Sequence, residues 1–294
     1  MGQHIRSGDL DIWTEQVGAG PDVLLIGGLG DTIESWQFQL DGLADRYRLT
    51  AFDNRGAGRT RMPEGPATVE MMADDAAAVL RALDIPSAHV AGFSGGSIIG
   101  QELALRHPEL VRSLVLQSSW AAPDAYLRAW FRFVHWLMDN APSERALMEY
   151  FFLDIYTARA HADGTVAAFI DAMVAFPHKQ ASADFHAYLS ALERPDTRDR
   201  LRRIAAPTLV LAGGVDSVAR PSLGRDLAQL IPGAMFEIQD DAAHQPFQEM
   251  PDAWNPRVDA FWQDVEKRAV SAPRPREAPD RERMAAPADR KTTS

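Results

Sequence analysis

Val90-Ala91-Gly92-Phe93-Ser94-Gly95-Gly96 decides how the rest of the chain is read. The run from Ala88 to Phe93 is mostly apolar and short, as a buried strand is. Gly92, Ser94 and Gly96 then occupy the fixed places of a Gly-x-Ser-x-Gly turn. Ile98, Ile99, Leu103 and Ala104 follow with helical spacing. A strand, a sharp turn and a helix in that order give the motif its meaning. The serine sits on strained backbone, and its neighbours two positions away must be small to let the chains pass. The turn lifts the Ser94 hydroxyl above the sheet edge and aims the first amides of the following helix at whatever lies in front of it.

Outward from this turn, strands alternate with helices. A hairpin over residues 3–17 turns at Gly8-Asp9, and Val23 to Ile26 reads as a buried strand ending in Gly27-Gly28-Leu29-Gly30. A helix through Leu40 and Leu43 precedes a strand from Leu49 to Phe52, which runs into Asp53-Asn54-Arg55-Gly56-Ala57-Gly58-Arg59. The spacing of Met72, Ala76, Val79, Leu80 and Leu83 predicts a helix over 71–83 with Asp74 and Asp75 off its apolar face. Val111 to Leu116 is a further strand. Such alternation predicts an α/β fold, with a mostly parallel central sheet covered by helices on both faces.

After Ser118 the alternation stops. Residues 120–200 show helical periodicity and many aromatics, and are read as a helical cap inserted into the frame. The frame resumes with a strand from Pro207 to Leu211, a helix from Ser222, a strand from Ala234 to Ile238 and a closing helix from Trp254. The expected division is 1–119 and 201–268 for the core, 120–200 for the cap and 269–294 for a tail. The tail is rich in proline and charge and poor in large apolar side chains, which predicts disorder.

Bulk properties exclude several functions. The formal net charge of -11 argues against nucleic acid or an anionic membrane as the main partner. With no cysteine in 294 residues there are no disulfides or thiolate metal sites. No His/Asp/Glu spacing suggests a metal, and the glycine-rich loop at 27–30 lacks the lysine of a phosphate cradle. No cofactor is expected. Neither an apolar leader nor a run of about 18 apolar residues is present, so a cytoplasmic protein is the default. Oligomeric state is not legible.

A serine hydroxyl is a weak nucleophile unless a base and an orienting acid stand behind it. Both should lie at strand ends beyond Ser94, on the edge that parallel strands share. One strand ends in Gly213-Gly214-Val215-Asp216 and another in Asp240-Asp241-Ala242-Ala243-His244. Asp240 and Asp241 compete with Asp216 for the acid, but a turn role suits them better. The stretch 117–120 offers no carboxylate before Asp124. Arg55 is read as half of a structural salt bridge. His4, His89, His107 and His161 are placed at strand edges or helix surfaces, and His135, His178 and His186 in the cap, more often solvated than facing a ligand.

These motifs, together with Gln101-Glu-Leu-Ala-Leu-Arg-His-Pro-Glu-Leu and the strand after it, resemble the α/β-hydrolase superfamily over roughly residues 10–268. They look most like its enol-lactonase-like and aminoacrylate-hydrolase-like bacterial branch. The resemblance implies Ser94 as nucleophile, His244 as base and Asp216 as acid, with the backbone amides of Leu29 and Gly95 as the oxyanion hole. One departure stands out. The family usually carries His-Gly, with the histidine supporting the loop, where this chain has Gly27-Gly28, so the rigidity of that loop is open. Phe93, Trp120, Trp130, Phe151 and Phe152 are candidate substrate contacts. The expected activity is hydrolysis of a small-molecule carboxylic ester or lactone with an apolar or aromatic part. Carbon–carbon hydrolysis, perhydrolysis, a lyase or cyclase step, and ligand binding without turnover are the alternatives.

Overall fold

A computed structural model describes residues 2–271. A hairpin of β1 (Gly2–Ser7) and β2 (Leu10–Gly18) turns at Gly8, which takes a positive φ of 59° that glycine adopts freely. The frame continues with β3 (Asp22–Ile26), α1 (Gln37–Leu43), β4 (Arg48–Phe52), α2 (Val69–Ala82), β5 (Ala88–Phe93), α3 (Gly95–Arg106) and β6 (Val111–Gln117). Five helices follow before the next strand: α4 (Ala125–Asn140), α5 (Glu144–Phe151), α6 (Ala158–Ala162), α7 (Thr165–Ala175) and α8 (Ser182–Leu192). The frame closes with β7 (Thr208–Gly213), α9 (Pro221–Leu230), β8 (Met235–Gln239), α10 (Pro246–Glu249) and α11 (Pro251–Ser271).

The eight strands form one sheet in the order β1-β2-β4-β3-β5-β6-β7-β8. Strand β2 pairs antiparallel with β1 and β4, and every other pairing is parallel. The hairpin is therefore an edge, and β3, β5 and β6 are central. Side chains of successive residues point to opposite faces of a strand. Leu24, Ile26, Val90, Leu114, Leu116 and Val210 pack on one side with α2, α3 and α9. Val23, Leu25, Ala91, Val115, Leu209 and Leu211 pack on the other with α1, α10 and α11. This two-sided burial explains why the central strands read as continuous apolar runs rather than as alternating ones.

Three readings are corrected. His89 is not at a strand edge. It lies fully buried on β5, with Nδ1 2.7 Å from Ser113 Oγ and its ring stacked on Trp262. Burial holds its imidazole well below the ordinary histidine range, so it stays neutral. Asp75 does not sit off the packed face of α2. It turns inward to accept the Arg55 Nε–H at 2.7 Å and the Ser7 hydroxyl at 3.1 Å. Arg55 is thus half of a structural ion pair, with a partner 20 residues away rather than the nearby Asp53. The closing helix runs to Ser271, three residues past the point where the tail was expected to start. The rest of that tail, 272–294, lies outside the described residues.

Arg55 and Asp75 are 7% and 4% exposed, so removing one leaves a buried charge without its partner. Arg55→Ala is expected to cost about 3–5 kcal/mol in urea denaturation, and the double replacement Arg55→Met with Asp75→Leu much less. Equal losses from the two would show that the site is sensitive to volume rather than to charge.

Candidate active site

Strand β5 must pass into α3 without a loop. The structure does this at one residue: Ser94 has φ 50° and ψ -117°, a conformation that ordinary side chains avoid. Two glycines make room for it. A Cβ on Gly92 would lie 2.4 Å from the Gly96 carbonyl, and one on Gly96 would lie 2.1 Å from the Ile26 carbonyl. The start of α3 therefore rests against the end of β3. The Ser94 amide donates to Gln117 O at 2.9 Å, which holds the turn in register with β6.

His244 and Asp216 reach this serine from the ends of β8 and β7. His244 Nε2 is 3.0 Å from Ser94 Oγ, and His244 Nδ1 is 2.8 Å from Asp216 Oδ2. The other carboxylate oxygen of Asp216 accepts the Val218 and Ala219 amides at 2.8 and 2.9 Å. An ionised carboxylate only accepts, so the proton of the imidazole sits on Nδ1 and the lone pair of Nε2 faces the serine hydroxyl. Ser94, Asp216 and His244 are 9%, 3% and 2% exposed. Asp240 and Asp241 lie in the turn between β8 and the histidine, as the sequence suggested. A Cβ on Gly213 would meet the Ala243 carbonyl at 1.9 Å, so the double glycine after β7 is what lets the histidine segment cross there.

The histidine backbone is held on both sides. Its amide donates to Ile155 O at 3.0 Å and its carbonyl accepts the Ser118 hydroxyl at 2.7 Å. Ser118 itself has a positive φ of 54°. Next to it, Thr157 gives both its amide and its hydroxyl to Glu249, and the Tyr156 hydroxyl donates to Gln248 at 2.5 Å. The inserted helices are thus sewn to the segment that carries the histidine.

Gly95 opens α3, where helix geometry leaves the first amides without a carbonyl partner four residues back. The Gly28 carbonyl accepts the Asp31 amide at 3.4 Å. The N–H of the same trans peptide, that of Leu29, points the opposite way. The loop that lacks a side chain at Gly27 is held by others: Asn54 Nδ2 donates to Gly27 O at 2.9 Å and the Gly28 amide donates to Asp31 Oδ2 at 2.8 Å.

Above the serine is a cavity of about 610 Å³. All five aromatic residues named from the sequence, Phe93, Trp120, Trp130, Phe151 and Phe152, line it, with Leu29, Ser94 and His244. Of the histidines placed in the cap, His178 lines the cavity. His135 and His186 instead stack on each other 4.9 Å apart, capped by Glu193 and Asp139. Sequence reasoning missed Asp31, Tyr156, Gln245 and Ser118, whose neighbours are far off in the chain. Among the described residues no group of three or more His, Cys, Asp or Glu is placed to hold a metal, and no helix is long and apolar enough to cross a membrane.

With strand order, elbow and cavity in hand, the chain's membership is plain: it belongs to the α/β hydrolase fold family, whose model matches residues 21–251. It is 33% identical over 271 residues to a protein of Azorhizobium caulinodans provisionally named carbamate hydrolase RutD, covering 90% of this chain and 99% of that one. It is 28% identical over 243 residues to 3-oxoadipate enol-lactonase 2 of Acinetobacter baylyi, covering 82% and 88%. Among solved structures, a hydrolase from Pseudomonas aeruginosa PA01 superposes with a TM-score of 0.80 at 27% identity, over 89% of this chain and 98% of that one.

Gly96→Ala tests the elbow. The added methyl meets backbone, which cannot swing aside, so Tm is expected to fall by the equivalent of about 1–3 kcal/mol and fluorophosphonate labelling of Ser94 to slow. An unchanged Tm and labelling rate would show that the turn tolerates the contact.

Proposed function

We propose that the protein is a serine hydrolase that cleaves an uncharged carboxylic ester or lactone through an acyl-enzyme. The observation that carries this reading is the continuous relay from Ser94 Oγ to His244 Nε2 at 3.0 Å and from His244 Nδ1 to Asp216 at 2.8 Å. Ser94 Oγ attacks the carbonyl carbon while His244 takes the hydroxyl proton. The Leu29 and Gly95 amides hold the oxygen as it gains charge, an interaction that typically contributes about 10²–10³ in rate per donor. The intermediate collapses, the alcohol leaves with the proton from His244, and the acyl group stays on Ser94. His244 then deprotonates a water, which attacks the acyl carbon; the bond to Ser94 Oγ breaks as His244 returns the proton to that oxygen, and the acid leaves. Asp216 holds the imidazole in the tautomer that both halves need and stabilises its charged form.

The lining supports the substrate class. The cavity wall is dominated by aromatic and aliphatic side chains, which favour an apolar acyl or alcohol part. Its charged lining is acidic: Asp31, Glu34, Asp41 and Glu144 against Lys179, and Lys179 is already bound to Glu144 at 2.5 Å. A substrate carboxylate would enter without a free cation to meet it. The name of the enol-lactonase relative suits the lactone half of the proposal, while the 3-oxoadipate in that name keeps a free carboxylate as its enol-lactone and so differs from the uncharged substrate proposed for this chain.

Ser94→Ala should lower turnover of a p-nitrophenyl ester panel by at least about 10³-fold. Retained activity in that variant would remove the nucleophile assignment. Between two esters matched in length, one ending in methyl and one in carboxylate, kcat/KM is expected to favour the methyl form by about 100-fold, or about 2.7 kcal/mol. Equal rates would show that the acids at the cavity wall do not select on charge.

A further inference from the structure

The loop between β3 and α1 has to present one amide, that of Leu29, at a fixed point beside Ser94. Gly27 has no side chain with which to brace it, and Gly28 has little room for one, because a Cβ there would lie 3.2 Å from Ser94 Cβ and 3.1 Å from the Phe93 carbonyl. Asp31 supplies what they lack. Its Oδ2 accepts the Gly28 amide at 2.8 Å, and its own amide donates to the Gly28 carbonyl at 3.4 Å. Both peptide groups of Gly28 are thereby held by one residue, and the Leu29 N–H is left with a single direction. The same carboxylate reaches across the site. Its Oδ1 accepts the Ser35 hydroxyl at 2.8 Å and Gln245 Nε2 at 3.3 Å, and Gln245 follows His244. A Cβ at Gly27 would stand 2.8 Å from Asp31 Cβ, so the bare position at 27 is what admits Asp31.

We propose that Asp31, as a carboxylate, is the positioning residue of the Leu29 oxyanion donor and ties that donor to the histidine segment. This rests on the acyl-transfer reading above. The carboxylate form is required because its two oxygens accept three donors, the Gly28 N–H, the Ser35 O–H and the Gln245 N–H. A protonated carboxyl must itself donate, so one of the three donors is lost or, at Ser35, has to turn and accept. Burial pushes the Asp31 carboxyl above the usual carboxylate range, against the pull of these hydrogen bonds and of His244. The groups that face it are His244 from the segment after β8, Tyr156 from the segment between α5 and α6, and Tyr188 from α8. Since the folded-state value is raised, the competent form is complete at alkaline pH and is lost as pH falls through that raised value. The fall of kcat toward low pH then includes the loss of the Asp31 carboxylate.

The test compares the wild type, Asp31→Ala and Asp31→Asn in kcat and KM from pH 5 to 9 on a neutral p-nitrophenyl ester, with fluorophosphonate titration of Ser94 and circular dichroism alongside. Asp31→Ala is expected to lower kcat by about 100-fold, the loss typical of one oxyanion donor, with KM within about threefold of wild type. Asn keeps an acceptor for the Gly28 amide, so Asp31→Asn should recover to within about tenfold at pH 8, and its kcat should fall less steeply than that of wild type toward low pH. If Asp31→Ala does not fold, the Asn variant alone decides: a fall of kcat toward low pH as steep as that of wild type overturns the proposal. So does a folded Asp31→Ala with kcat within threefold of wild type, or one whose loss lies in KM. If fluorophosphonate fails to label wild-type Ser94, the acyl-transfer reading falls instead, and that outcome is separate from any result with the Asp31 variants.

Discussion

The whole site hangs on one close approach of backbone to backbone, where Gly96 at the head of α3 lies against the Ile26 carbonyl at the end of β3. No side chain fits between them. Because the helix begins there, β5 must change direction within one residue, and Ser94 takes the strained conformation that such a change needs. Strain of this kind costs on the order of 1–3 kcal/mol and persists only where the surroundings leave no alternative. Those surroundings are the two central strands on either side of β5 and the continuous cores above and below them. The Ser94 hydroxyl faces the cavity because the rest of the sheet is not free to relax.

The same logic governs the imidazole. A histidine on a free loop would sample many orientations, and few would line up with a serine and a carboxylate at once. Here the amide and the carbonyl of His244 are both engaged, and its carboxylate partner is itself held by two amides. The Ser94, Asp216 and His244 positions are fixed mainly by backbone hydrogen bonds, and the one side-chain contact on the histidine backbone is the Ser118 hydroxyl. Three histidines outside the relay are just as settled: His89 is locked among Ser113 and Trp262, and the His135–His186 stack is closed by a carboxylate at each end.

The frame was legible because its signals are local. A buried parallel strand is a short apolar run, a helix repeats every 3.6 residues, and Gly-x-Ser-x-Gly between the two allows few other backbones. The ends of β7 and β8 were legible for the same reason, and with them Asp216 and His244. Other contacts were not, because the chain carries no mark of what lies across it in space. Asp75 looked like a surface acid, since a helical pattern cannot reveal that Arg55 comes to meet it. His89 looked like an edge residue until Trp262 covered it. Asp31 and Gln245 are 214 residues apart, and only the folded sheet makes them neighbours. Gly27 raised the question of what stiffens its loop, but the answer, a carboxylate four residues on, depends on how the loop bends.

The stitching at Ile155, Tyr156 and Thr157 bears on how such enzymes diversify. An insertion joined only at its two ends could be exchanged between homologues like a cassette. This one also lends a carbonyl to the histidine and takes a carboxylate from α10. A chimaera that grafts foreign helices between β6 and β7 would inherit a new pocket and, unless the graft brings an equivalent carbonyl and threonine, a loosened His244 segment. Drift toward new substrates is therefore easier on the cavity wall far from this seam, along α4, α5 and α7, than at the seam itself.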